Sequence, residues 1–275
     1  MDRRLTPANG RVAALRLQGQ VEADRFTEGQ RRRIGPALAD LRDAPGGRRA
    51  RQLLHGEQVT VYEDADGWAF VEAARDGYVG YLASDALIAP SEPTQVIAVP
   101  GSHLYTAADL KSPEVMGLSF GARLRIVSGH GSFYETDTGH FVPRPHVRPL
   151  NRPFSDPATV AQLFFGAPYL WGGNSIRGID CSGLVQAALL ACAIPCPGDS
   201  DLQEAAVGRP LAAADPLARG DLVFWKGHVA MAVDGETLIH ANAHHMAVAY
   251  EPFAAAVARI AAQGGGPVTA RRRLG

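Results

Sequence analysis

The sequence predicts an α+β protein: an irregular N-terminal segment, then a run of short strands, then a region where one helix precedes several adjacent strands. Three observations predict it. Thirty Gly and 19 Pro among 275 residues favour turns and short strands over long helices. Asp66-Gly67 and Asp76-Gly77 interrupt apolar runs, as the turns of β-hairpins do. Beyond Phe154, one apolar helical face is followed by four strand-like runs.

A chain of this length approaches the limit of a single core, so two or three domains are expected. Its 27 basic and 28 acidic residues leave a net charge of −1. That excludes a broad basic surface, and nucleic acid is not an expected partner. No run approaches the roughly 18 consecutive apolar residues of a membrane span, and no membrane partner is expected. Met1 to Leu17 carries Asp2, Arg3, Arg4, Arg11 and Arg16, so it lacks the apolar stretch of a secretory leader. Cys181, Cys192 and Cys196 are an odd number, which favours a reducing, cytoplasmic setting over disulfide stapling. Lys occurs only at Lys111 and Lys226, which reads as coding bias toward Arg.

Residues 1–50 are Arg-rich and broken at Gly35-Pro36 and Pro45-Gly46-Gly47. They show no sustained period and read as an extended N-terminal arm. Residues 51–90 read as a first small all-β module. Val59 and Val61 alternate with polar residues, Trp68 to Val71 follow one Asp-Gly pair, and Tyr78 to Leu82 follow the other. A weak repeat places a second module at 94–150. Gly56 to Val59 has a counterpart in Gly121 to Leu124, and Gly80-Tyr81-Leu82 in Gly139 to Val142. In each, an apolar residue follows six positions after the aromatic one: Leu87 after Tyr81, Val147 after Phe141. This spacing resembles bacterial SH3-like barrels. Pro90 to Pro93 reads as the linker between them.

The third region, 154–275, opens with Asp156 as a helix cap and Pro157 in the first turn. A second helix from Cys181 puts Leu184, Val185, Ala188, Leu189 and Cys192 on one apolar face. Strand-like runs follow at Asp221–Trp225, His228–Val233, Leu238–Ala241 and Ala247–Tyr250.

The chemistry concentrates around Cys181. It follows the Gly-rich turn Tyr169-Leu170-Trp171-Gly172-Gly173 and starts a helix. Free N–H groups and the helix dipole there favour a thiolate, so a pKa below about 8.5 is expected. The same amides suit an oxyanion. His228 and His240 fall on two strand patterns joined by the Asp234-Gly235-Glu236 turn, which brings the imidazoles side by side. His228 is placed to take the Cys181 proton, and His240 to fix the tautomer of His228. Cys192 is expected to be buried on its apolar face. Cys181, His228, His240 and His244 lack the close Cys spacing of a zinc site, so no metal or cofactor is expected. His244 and His245 read as solvated loop. Trp171 reads equally as core or pocket.

These motifs together resemble the NlpC family of papain-like cell-wall cysteine peptidases. The resemblance rests on Tyr169-x-Trp171-Gly172-Gly173, Asp180-Cys181-Ser182-Gly183, Gly220 to Phe224, His228 to Met231 and Ile239-His240-Ala241. It covers residues 154–275 and implies a papain-like domain preceded by two SH3-like barrels. It implies Cys181 as nucleophile, His228 as base and His240 as the orienting residue. Tyr169, Asp180 and Ser182 match positions that line the substrate pocket in the branch with SH3-like domains. That branch cleaves the γ-D-glutamyl bond to a diamino acid in murein tripeptides or tetrapeptides carrying a free N-terminal L-Ala. Its first barrel adds an acid and an aromatic, for which Glu63 and Tyr81 are the candidates and Asp66 a competing acid. The stretch Pro197 to Gln203 departs from the family by lacking an Arg. The expected function is therefore a γ-D-glutamyl-L-diamino acid endopeptidase of peptidoglycan recycling. The alternative is a non-catalytic cell-wall-peptide-binding protein. A thioester acyltransferase is disfavoured, because Cys181 precedes both His.

Overall fold

The computed structural model describes residues 1–274, which divide into two compact units, one spanning Met1–Asn151 and one beginning at Arg152. The first is all β. Its larger sheet has seven strands in the spatial order Arg49–Leu54, Leu38–Arg42, Val79–Ala83, Trp68–Ala73, Gln58–Ala65, Gln30–Ile34 and Leu87–Ile88. The hairpin expected at Asp66-Gly67 forms: Ala65 pairs with Trp68, and both turn residues take positive φ (54° and 78°), the two-residue geometry that suits strand twist. The sheet closes over Ile34, Leu41, Leu53, Val71 and Leu82, all essentially inaccessible.

The expected arm at 1–50 is not separate from this module. Val12 and Ala14 pack with Tyr62 and Phe70, and Gln30–Ile34 and Leu38–Arg42 are strands of the seven-stranded sheet. The boundary at 50/51 falls inside the strand Arg49–Leu54. The physical reason lies in Gln30-Arg31-Arg32-Arg33-Ile34, which has no apolar alternation to signal a strand. Its main chain is held by the ladder, while Arg31 pairs with Glu92 at 2.8 Å and Arg33 with Asp137 at 2.9 Å.

Residues 95–149 form two smaller sheets around Ile97, Leu104, Leu118, Leu124 and Val142. Leu54 of the preceding module belongs to that core, so the two modules share one unit. Both end alike. A strand (Val79–Ala83 or Phe141–Pro143) runs into a 3₁₀ turn (Ser84–Ala86 or Arg144–His146) and then a short closing strand. That common ending underlies the spacing of Leu87 and Val147.

The second unit is α+β. An antiparallel sheet has the order Arg209–Pro210, Ala270–Arg273, Leu222–Trp225, His228–Ala232, Thr237–Asn242 and Ala247–Pro252. Helix α1 spans Pro157–Gln162, α2 Cys181–Ala191, α3 Ser200–Ala206 and α4 Phe253–Ala262. Asp156 caps α1 by accepting from the Ala158 amide at 3.0 Å. Helix α2 packs on α1 and on the strands His228–Ala232 and Thr237–Asn242. Eight of its eleven residues are buried, including Ser182, Gly183 and Gln186 outside the expected face. A helix covered on several sides is a central element rather than a surface amphipath. Cys192 is only half-buried, contrary to the expected burial: it is the C-cap, past Ala191, the last residue of the helix. Among the described residues, no helix is long and apolar enough to cross a membrane.

Candidate active site

The site begins at the start of α2. Asp180 is the N-cap, with extended backbone, and its carboxylate is crowded by donors. Oδ1 accepts from the Gly183 amide at 2.6 Å and the Ser182 hydroxyl at 3.0 Å, and Oδ2 accepts from the Gly172 amide at 2.9 Å. Three contacts on one buried carboxylate fix the Gly-rich turn to the helix start. Gly183 is required for the approach, since a Cβ there would lie 2.6 Å from the Gly173 carbonyl oxygen. From the other side, the Gln203 side-chain amide donates to the carbonyls of Ser182 (2.9 Å) and Pro197 (3.0 Å). Gln203 is fully buried, and it ties the segment that departs from the family to the turn carrying Cys181.

Cys181 is the first residue of α2 and 7% exposed. The backbone amides of Val229, Ser182 and Cys181 near the sulfur favour its charge. Those amides do not prevail. Burial first, and then the neighbouring Asp180 charge, push the thiol up to about 12, so the expected lowering is corrected. At rest the residue is a thiol.

Val229 directly follows His228, so the sulfur lies at the end of the strand that His228 begins. His228 starts the strand Leu222–Trp225 leads into, with Trp225 opposite it and the two rings 5.7 Å apart. His228 Nε2 lies 2.9 Å from His240 Nδ1, and the rings are 5.1 Å apart. Burial holds His228 down at about 3 and His240 at about 4, so both are neutral imidazoles at neutral pH. His228 Nδ1 has no hydrogen-bond partner among the described residues.

The sequence did not single out what lies beyond His240. His240 Nε2 is 3.0 Å from Glu251 Oε2, and Arg259 grips both oxygens of that carboxylate, at 2.8 and 2.7 Å. Glu251 ends a strand and Arg259 lies in the last turn of α4, so no local motif joins them to His240. Only the pairing of Thr237–Asn242 with Ala247–Pro252 reveals them.

Tyr169 reaches the same place. Burial, then the charges of Cys181 and Asp180, raise its phenol above the ordinary value, which places it beside both. Its hydroxyl has no protein partner among the described residues. Trp171 is 71% exposed and is no part of a core. Glu63 and Tyr81 form a group of their own in the first unit. Asn9 Nδ2 lies 3.1 Å from Glu63 and 3.2 Å from the Tyr81 hydroxyl, and Arg11 pairs with Glu63 at 2.6 Å. Arg11 therefore holds Glu63 below the usual carboxylate range. Asp66 is in the hairpin turn instead. His244 and His245 are exposed.

Among the described residues, one cluster has metal-like spacing: ligand atoms of His240, His245 and Glu251 lie within 4.8 Å of one another. It does not fit a cation. The Glu251 carboxylate already holds the Arg259 guanidinium, and His245 Nδ1 is turned to Asn242 Oδ1 at 3.0 Å.

A buried thiol at a helix start, beside two linked neutral imidazoles on an antiparallel sheet, defines a cysteine peptidase of papain-like fold. Comparison with known proteins gives the family. Residues 166–259 match the NlpC/P60 family, and residues 41–87 match the bacterial dipeptidyl-peptidase Sh3 domain. The gamma-D-glutamyl-L-lysine dipeptidyl-peptidase of Bacillus subtilis (strain 168) is 30% identical over 216 residues, 69% of this chain and 71% of that one. Dipeptidyl-peptidase 6 of Lysinibacillus sphaericus is 27% identical over 70% of this chain and 79% of its own. The crystal structure of an NlpC/P60 family protein from Bacillus cereus ATCC 10987 has the same fold, with a TM-score of 0.75 at 22% identity over 89% of this chain and 99% of that one. This chain belongs to the NlpC/P60 family.

Proposed function

We propose that the enzyme hydrolyses the γ-D-glutamyl-L-diamino acid bond of short murein peptides with a free N-terminal L-Ala. The observation that carries this is the buried Cys181 thiol at the start of a helix packed on the strand that His228 begins, with His228 Nε2 engaged by His240 and its Nδ1 without a partner among the described residues. The name of the Bacillus subtilis relative, gamma-D-glutamyl-L-lysine dipeptidyl-peptidase, supports the bond.

In this reading the neutral pair reacts as a unit. The Cys181 proton passes to His228 Nδ1 as the sulfur attacks the γ-carbonyl carbon. The oxyanion meets the amide at the start of α2 and the Tyr169 hydroxyl, which has no protein partner among the described residues. His228 then protonates the leaving amine, and the L-Ala-γ-D-glutamyl thioester remains. Water gives its proton to His228, attacks the thioester and frees Cys181. Asp180 has two carboxylate oxygens and three protein donors, so one acceptor site remains for a substrate ammonium. Ser182 positions that carboxylate. A free tripeptide or tetrapeptide is a wall fragment, which fits murein peptide recycling.

The test is incubation with L-Ala-γ-D-Glu-diaminopimelate and its N-acetylated form, read by mass spectrometry. Release of diaminopimelate from the free-amine peptide alone is the expected result. Binding without release is the outcome for a peptide-binding protein and would refute the reading.

A further inference from the structure

A histidine as the orienting residue poses a problem that Asn or Asp does not. A neutral imidazole donates from one nitrogen and accepts at the other, and either arrangement fits a His–His contact. If His240 Nδ1 carries the proton, it donates to His228 Nε2. His228 then carries its own proton on Nδ1 and has no lone pair there for a thiol proton. If His240 Nδ1 is bare, His228 donates from Nε2 and its Nδ1 is a base. The 2.9 Å contact alone does not choose between these.

We infer that Glu251, held by Arg259, is a positioning residue that sets the tautomers of both histidines and so makes His228 a base toward Cys181. A carboxylate only accepts, so the 3.0 Å contact requires a proton on His240 Nε2. A neutral His240 then has a bare Nδ1, His228 must donate to it from Nε2, and His228 Nδ1 is left with its lone pair. The direction of the whole chain is fixed at its far end. Arg259 keeps Glu251 in the accepting form: its guanidinium meets both oxygens at 2.8 and 2.7 Å and holds the carboxyl below its usual range. The chain is built rather than incidental. His240 is fully buried, and the side chains of Glu251 and Arg259 are 9% and 17% exposed. The charged groups facing His240 are Glu251 from the neighbouring strand and Arg259 from α4, with His245 from the adjoining turn.

The inference rests on the cysteine-peptidase chemistry of Cys181 but not on the choice of substrate, so its test uses none. Imidazole ¹⁵N resonances of the whole chain report the tautomers directly. The wild-type protein should show His228 and His240 protonated on Nε2 alone. Glu251→Gln is nearly isosteric, but its amide either accepts from or donates to His240, so both tautomers of His228 should appear. Alkylation of Cys181 by iodoacetamide near neutral pH, read by peptide mapping, should slow in that variant in proportion to the fraction of His228 protonated on Nδ1, by about 2-fold when the two tautomers are equally populated. A wild-type His228 protonated on Nδ1 overturns the proposal without any variant. So does a folded Glu251→Gln protein with a single tautomer and an unchanged alkylation rate. If the tautomers and alkylation behave as stated while the γ-D-glutamyl peptide stays intact, the substrate reading fails and this one stands.

Discussion

Nε2 of His228 and Nδ1 of His240 share one hydrogen bond of 2.9 Å, although the residues are diagonal rather than opposite across the two strands. The strands pair directly at Met231 with Ile239 and Ala232 with Leu238. The imidazoles are thus joined where α2 brings its first residue against the sheet. Everything the site can do depends on that contact staying dry and correctly protonated.

Removing His240 should therefore cost more than one hydrogen bond. His240→Ala leaves His228 free to change tautomer and leaves the Glu251–Arg259 pair facing a cavity. Peptidase activity should fall by about 10²- to 10⁴-fold, with KM changing little, because the ring does not contact substrate in this account. Steady-state kinetics separate the two parameters.

The pH dependence of stability has a definite sign. Both histidines titrate near 6.5 when unfolded, but at about 3 (His228) and about 4 (His240) in the native protein. Below about pH 6.5 the unfolded chain takes up protons that the native protein refuses. Their contribution is complete above that pH and is lost as pH falls toward 4 and 3, by about 1.4 kcal/mol per unit for each ring. Cys181 works at the other end. Its native value is raised from 9.0 to about 12, so stability is lost as pH rises above about 9. Urea midpoints measured across both ranges should fall at each end. In His228→Gln the acid-side fall should be shallower.

Asp180 has two opposing effects on Cys181. It caps α2 and holds the turn, but its charge opposes the thiolate. Asp180→Ala should destabilise the protein by about 1–3 kcal/mol through the orphaned donors. Asp180→Asn keeps a capping oxygen and removes the charge, so the Cys181 pKa should fall. The pH profile of iodoacetamide alkylation measures that shift.

Gly56 joins the two β modules. It takes a φ of 76°, and a Cβ there would lie 1.9 Å from the Arg123 carbonyl oxygen. Gly56→Ala should destabilise the first unit by about 3 kcal/mol or more. Thermal unfolding should show a lowered transition for that unit, with no change in a transition belonging to the second.

How much of this was legible in the sequence follows from which interactions are local. The α2 start, the Asp66-Gly67 hairpin and the strands bearing His228 and His240 announce themselves through caps, turns and short apolar runs. The strand Gln30–Ile34 does not, because arginines fill its positions and their partners, Glu92 and Asp137, lie far along the chain. Glu251 and Arg259 stayed hidden for the same reason. A lone acid before a helix and a lone Arg within it carry no signal until the strand pairing brings them to His240. The raised thiol of Cys181 was also out of reach, since a helix start argues for a thiolate and only the fold shows how completely the sulfur is buried.

The most direct test compares wild type with Cys181→Ala on L-Ala-γ-D-Glu-diaminopimelate, quenched within one turnover and read by intact-protein mass spectrometry. The account predicts an L-Ala-γ-D-glutamyl adduct on Cys181 in the wild type, and diaminopimelate release reduced by at least about 10³-fold in the variant. Equal release from both proteins would contradict it.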